Sequence, residues 1–142
     1  MRHHRIASIP ADGIGPEVIA AGLEALETVA ARDGGFQLQV DSLDWESERY
    51  RRTGTLMPAD GLERLRGVDA ILFGAVGAPD IPDHVTLWGL RLPICQGFDQ
   101  YANVRPTRIL PGVTSPLRGV GVTLQLIAIF RTKFHQSLIH CT

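Results

Sequence analysis

Arg105 lies in the run Asn103-Val104-Arg105-Pro106. A proline disfavours the helical region for the residue before it, so this guanidinium is predicted to project from extended backbone. A guanidinium offers a fork of donors that matches a carboxylate through two parallel hydrogen bonds, so the chemistry available is recognition of an organic acid. A single strand arginine is more commonly just solvated. Arg108 lies an odd number of positions further on, should face the other way, and takes that blander role. Two glycine-rich connections come next: Ala11-Asp12-Gly13-Ile14-Gly15-Pro16-Glu17 and Gly74-Ala75-Val76-Gly77-Ala78-Pro79. Neither has the spacing of a dinucleotide fingerprint or a P-loop. Glu17 suits the start of a helix but would repel a phosphate docking there. The first loop is therefore a fair surface for a neutral ring or amide and a poor one for phosphate. By themselves, such loops are ordinarily turns. Cys95 carries a thiol, but no histidine stands near it in sequence to activate it. His135, His140 and Cys141 have no spacing known for a metal site, and a solvated tail is the better reading.

The elements that would position these groups follow from hydrophobic spacing. Residues 5–10 (RIASIP) form a short apolar strand. Pro16 suits the first turn of a helix, and from Glu17 to Arg32 the residues Ile19, Leu23, Leu26 and Ala30 recur at helical spacing, with Val18, Ala25 and Val29 widening the stripe. Asp33-Gly34-Gly35 ends that helix. Phe36, Leu38, Val40 and Ser42 alternate with polar residues, as in a strand with one buried face. A short helix is predicted over 58–66, and a strand covered on both faces over Val68–Gly74. The β-α-β-α-β order implies an α/β fold with an open, mainly parallel sheet and flanking helices. In such sheets ligands sit beyond the carboxyl ends of the strands, where both glycine-rich connections fall.

Composition narrows the classes. The chain has 142 residues, 44% hydrophobic and 20% charged, enough for one ordinary globular domain. A net charge of −1 argues against nucleic acid as a partner. No apolar stretch reaches the roughly 20 residues needed to span a bilayer, so no membrane partner is expected. The two cysteines lie far apart with no CxxC pair, which suits thiols in a reducing compartment and a cytoplasmic protein. Charge is uneven along the chain. Residues 1–99 hold all 15 acidic residues against nine basic ones, whereas residues 100–142 hold five basic residues and no acidic one. From about Val120 the composition changes, to an apolar-looking run as far as Phe130 and a short end containing His, Ser and Thr, which suggests a boundary near Gly119, with residues 1–119 as one unit and 120–142 as a divergent tail.

The ordered set IPADGIGPEV, DAILFGAVGAP, DHVTLWGLRLPI and FDQYANVRPTRILPGV resembles the β-decarboxylating dehydrogenases, the group of isopropylmalate and isocitrate dehydrogenases. The resemblance runs from residue 5 to about 119. It implies the first domain of that fold, left incomplete here because the family completes its sheet with later chain. It also implies oxidation of a small 2-hydroxy acid by NAD, with decarboxylation assisted by Mg²⁺ or Mn²⁺, in a homodimer. Within that resemblance, Asp44-Trp45, the run from Met57 to Leu65, and Asp83-His84 with Leu87-Trp88-Gly89 resemble the members that act on tartrate or D-malate, which implies such a substrate over isopropylmalate. By resemblance, Ile14 and the Gly77-Ala78-Pro79 turn face the nicotinamide end of NAD, and Arg105 grips the substrate carboxylate.

Three departures stand out. A second family arginine falls at Cys95. Ala11 replaces the first glycine of the family loop, which a negative φ at that residue would allow. The metal-binding aspartates, the proton-abstracting lysine and the enolate-protonating tyrosine of the family lie beyond the matched region. Lys133 stands in no matching motif, and the tail contains no Asp, Glu or Tyr. A frameshift or gene disruption accounts for such a tail economically. The expectation is a chain of dehydrogenase lineage without turnover of its own, the alternative being a vestigial, non-catalytic product or a fragment of isopropylmalate dehydrogenase type.

Overall fold

The computed structural model describes residues 1–100, 102–108, 113 and 123–129. Strand β1 (Arg2–Ala11) leads into helix α1 (Gly15–Asp33), then β2 (Phe36–Ser42), α2 (Ser47–Thr53), α3 (Gly61–Leu65) and β3 (Ala70–Ala75). A continuous helical segment follows: α4 (Asp83–Thr86), a π-helical turn (Leu87–Arg91) and α5 (Leu92–Gly97). The described chain continues in β4 (Ala102–Arg108) and β5 (Thr123–Ile129). The first sheet has the order β2-β1-β3, with both pairings parallel. β4 and β5 form an antiparallel pair. The expected open, mainly parallel sheet with flanking helices is therefore present.

The reasons are local. Pro16 occupies the first turn of α1, and Gly34 closes the helix at φ 67°, its N–H donating to the Ala30 carbonyl at 2.9 Å. Ile19 is buried, and Leu23, Leu26 and Ala30 are half-buried, as the helical spacing predicted. Val18 and Val29 do not widen that stripe. They are 52% and 55% exposed, because only a narrow face of α1 rests on the sheet. Along β2 the alternation holds from Phe36 to Val40 and fails at Ser42, which is exposed. In β3 only Ile71 is fully buried, so the strand is not covered on both faces as expected. It lies at an edge of the described sheet.

The core joins Ala7, Ile9 and Ala11 of β1 and Ile71 of β3 to Trp45, Leu56, Leu65, Leu90 and Ile94. Trp45, 1% exposed, anchors the start of α2. Apolar spacing did not signal that helix, since Tyr50 is the one large non-polar ring in SERYRRT. At the carboxyl ends of β1 and β3 two glycines permit a close crossing. A Cβ on Gly15 or Gly74 would collide with the Pro10 carbonyl, and the one on Gly15 would also come within 2.9 Å of the Ala75 nitrogen.

Ala11 corrects an expectation. Its φ is +56°, in the left-handed region, so the alanine is tolerated there under strain and not through a negative φ. Replacing it with glycine should relieve about 1 kcal/mol of strain while giving up a buried methyl worth about 0.8 kcal/mol, a net change within about 1 kcal/mol. Ala11→Val adds branching at a positive φ and is expected to destabilise by about 2 kcal/mol or more. Urea unfolding of the two variants checks this, and a valine variant as stable as wild type would contradict it.

Candidate cofactor-facing site

The site is built around Asp12, in the loop between β1 and α1. Its own amide donates to the Ala75 carbonyl at 2.6 Å, tying the loop to the end of β3. Its carbonyl accepts from Gly15 N–H at 2.8 Å, which shapes the turn entering α1. Its carboxylate gathers three donors. Oδ1 accepts from the Ser47 amide at 2.8 Å, and Oδ2 accepts from Ser47 Oγ at 2.7 Å and from the Gly77 amide at 2.9 Å. One side chain thus joins the first glycine-rich loop, the start of α2 and the second glycine-rich turn. Sequence reasoning missed this role, because an aspartate between turn residues reads as part of the turn.

The second turn is held further along. Ile81 N–H donates to the Ala78 carbonyl at 3.0 Å, closing a turn with Pro79 at its second position, where a fixed φ is favourable. Arg51 of α2 then meets Asp80 through two bonds, Nε to Oδ2 at 3.0 Å and Nη2 to Oδ1 at 2.7 Å. Its remaining branch donates to Glu48 Oε2 at 3.0 Å. The hydrogen bonds from Arg51, with a backbone bond in support, hold the Asp80 carboxyl below its ordinary range. Asp80 and then Glu48 push the Arg51 guanidinium upward in turn.

Ile14 lies at the entry to α1 with 62% of its surface exposed. Gly77 and Pro79 are exposed and Ala78 is half-buried. Gly77 has φ 143°, a conformation that side chains rarely adopt. The structure therefore brings the Ile14 loop and the 77–79 turn together at the carboxyl ends of β1 and β3, both open outward. Cys95 lies on α5, half-buried, and its carbonyl accepts from the Gln100 amide at 2.9 Å. Arg105 lies on β4 opposite Leu126. A cleft shared by the Cys95 and Arg105 side chains, like the orientation of Arg108, lies outside the described residues. So do Lys133, His135, His140 and Cys141. Among the described residues no three or more His, Cys, Asp or Glu side chains cluster in a way that would hold a metal, so the fit to Mg²⁺ or Mn²⁺ fails there. Among them too, no helix is long and apolar enough to cross a membrane.

A parallel α/β sheet with two outward-facing glycine-rich turns at its strand ends has its candidate site where open α/β sheets carry their ligands. The family is specific: residues 5–136 match the isocitrate/isopropylmalate dehydrogenase model, and the chain belongs to that family. It is 67% identical over 121 residues to a probable tartrate dehydrogenase/decarboxylase of Agrobacterium vitis, covering 85% of this chain and 34% of that protein. It is 50% identical over 121 residues to the D-malate dehydrogenase (decarboxylating) of Escherichia coli strain K12, covering 84% of this chain and 33% of the relative. The chain spans about a third of the length of these curated relatives. Among solved structures it resembles isocitrate dehydrogenase from Methylococcus capsulatus, with TM-score 0.66 and 25% identity over 89% of this chain and 34% of that one. A β-decarboxylating dehydrogenase from Thermococcus kodakarensis matches with TM-score 0.58 and 26% identity, covering 88% of this chain and 41% of that one.

The Arg51–Asp80 pair makes a pH prediction. A carboxyl lowered in the folded state contributes stability that is full above its ordinary value of 3.8 and is lost as pH falls through the lower folded value. The pair is exposed, so its effect on global stability is small and screened by salt. NMR titration of the Asp80 carboxyl should give a midpoint below 3.8 that Arg51→Ala returns toward it. A wild-type midpoint at or above 3.8 would rule the contact out in solution.

Proposed function

We propose that this chain is the cofactor-facing, amino-terminal part of an NAD-dependent dehydrogenase that oxidises and decarboxylates tartrate or D-malate. One observation carries the reading: Asp12 holds the exposed Ile14 loop against the exposed Gly77 turn at the carboxyl ends of two parallel strands. The substrate class is supported by the relatives, whose names specify tartrate and D-malate.

Bound NAD would supply the hydride acceptor. Toward it, Ile14 offers an apolar side chain to cover a ring face, and the Gly77-Ala78-Pro79 turn offers backbone to a carboxamide. Arg105 is the proposed grip on the substrate carboxylate. Cys95 cannot replace a second arginine there, since a thiol supplies neither the charge nor the fork. The described residues do not themselves form a site for a divalent ion. A family-type homodimer in the cytoplasm is part of the same proposal.

As a 142-residue polypeptide the chain is proposed to have no turnover. Purified protein given NAD with tartrate, D-malate or isopropylmalate, with and without Mn²⁺, should form no NADH. Formation that persists through repurification would contradict this. In a chimera completed with a relative's later chain, Cys95→Arg should lower KM by about one to two decades, the scale of a charged hydrogen bond. Equal KM values with cysteine and arginine would remove Cys95 from the substrate site and leave it a packing residue.

A further inference from the structure

The Gly77–Asp80 turn is fastened at its end by helix α2 directly, and at its start by Asp12, which is itself bound to the first residue of that helix. At its start, the Gly77 amide meets the Asp12 carboxylate, which also receives the amide and hydroxyl of Ser47. At its end, Asp80 receives two bonds from Arg51. Ser47 and Arg51 are four residues apart on α2, and residues at that spacing share a helix face. Buried Trp45 fixes where the helix begins, just before Ser47. Between the two tethers stand Ala78 and Pro79, and the Ile81–Ala78 hydrogen bond limits the remaining freedom.

We propose that Asp12 and Arg51 are positioning residues, one for each end of the Gly77–Asp80 turn, and that α2 is the strut setting the gap between this turn and the Ile14 loop. The proposal rests on the reading of that gap as cofactor-facing. Neither residue needs to touch the cofactor. Asp12 acts through the Gly77 amide, and Arg51 acts through Asp80. Such a device is separable from general stability, because an exposed ion pair adds little to global folding free energy while it still restricts the one loop it fastens. The contacts themselves suggest a division of labour. Asp12 sets the approach of the two loops, and Arg51 sets the direction in which Ala78 and Pro79 face. Asparagine at position 12 keeps one acceptor oxygen but presents an NH₂ group to donors that now meet oxygen, so a hydrogen bond must be lost. Lysine at position 51 keeps the charge but loses the planar fork that pins both Asp80 oxygens.

The test uses the whole chain labelled with ¹⁵N, as wild type, Asp12→Asn, Arg51→Lys and Glu48→Gln, the last being a control that touches Arg51 but not the turn. Amide exchange at Gly77 or at Ser47, whichever loses its acceptor, should accelerate about tenfold or more in Asp12→Asn. Arg51→Lys should increase backbone motion at residues 77–80 and weaken NAD binding by about three- to tenfold, read from the Ile14 and Gly77 signals, with Tm within about two degrees of wild type. Glu48→Gln should match wild type in all these readouts. If Asp12→Asn unfolds, Arg51→Lys decides alone. The proposal is overturned if residues 77–80 and NAD affinity are unchanged in Arg51→Lys. It is equally overturned if that variant loosens β1 and β3 as much as the turn, since the role would then be merely structural. If the turn loosens as expected but wild type shows no response to NAD, the positioning role stands and the cofactor reading of the gap fails.

Discussion

The Asp12 carboxylate is where the architecture and the candidate site meet. Three donors from two other segments converge on it, and the same residue's backbone pairs with the end of β3. Donors of this kind, brought together by chain far apart in sequence, would each cost free energy if left unpaired away from water. The carboxylate satisfies them together. The geometry around it is constrained in a second way by sterics, because Gly15 and Gly74 both pack on the Pro10 carbonyl with no space for a side chain. Hydrogen bonding thus draws the loops together, and missing side chains let them come close. Ala11 bears the cost of the resulting path, being the residue that must turn left-handed at the end of its strand.

What could be read from the sequence, and what could not, follows physical lines. The spacing of Ile19, Leu23, Leu26 and Ala30 announced α1, because burial of one helix face is a local pattern of period 3.6. Its width was overestimated: Val18 and Val29 are apolar, and no local rule says whether a neighbour covers them. Strands β1 and β3 were legible from their apolar runs and β2 from its alternation, although β3 proved barer than a run such as AILFGA suggests. Helix α2 was not legible. It carries little apolar signal and is held by Trp45 at its start and by polar contacts to Asp12 and Asp80, all of them tertiary. The backbone at Ala11 was misjudged for a related reason, since alanine gives no sign of positive φ and only the crossing of two loops imposes it. Of the candidate site, the two glycine-rich connections were visible as turns, and their apposition was inferred by resemblance. The fastening that produces it was not.

The order β2-β1-β3 has a consequence for how the molecule comes into being. The central strand is synthesised before both of its neighbours, which arrive late: Ile6 pairs with Val40 on one side and with Ala70 on the other. On a ribosome adding about 5–20 residues per second, β1 waits several seconds, first with both edges unmatched and then with one. The Asp12 carboxylate waits longer still, since its last donor is Gly77. The nascent chain therefore passes through a two-stranded stage with a bare apolar edge, the kind of surface that invites pairing with other chains. Chaperone engagement would fall in that interval, and the loops of the candidate site are the last part of this sheet to close.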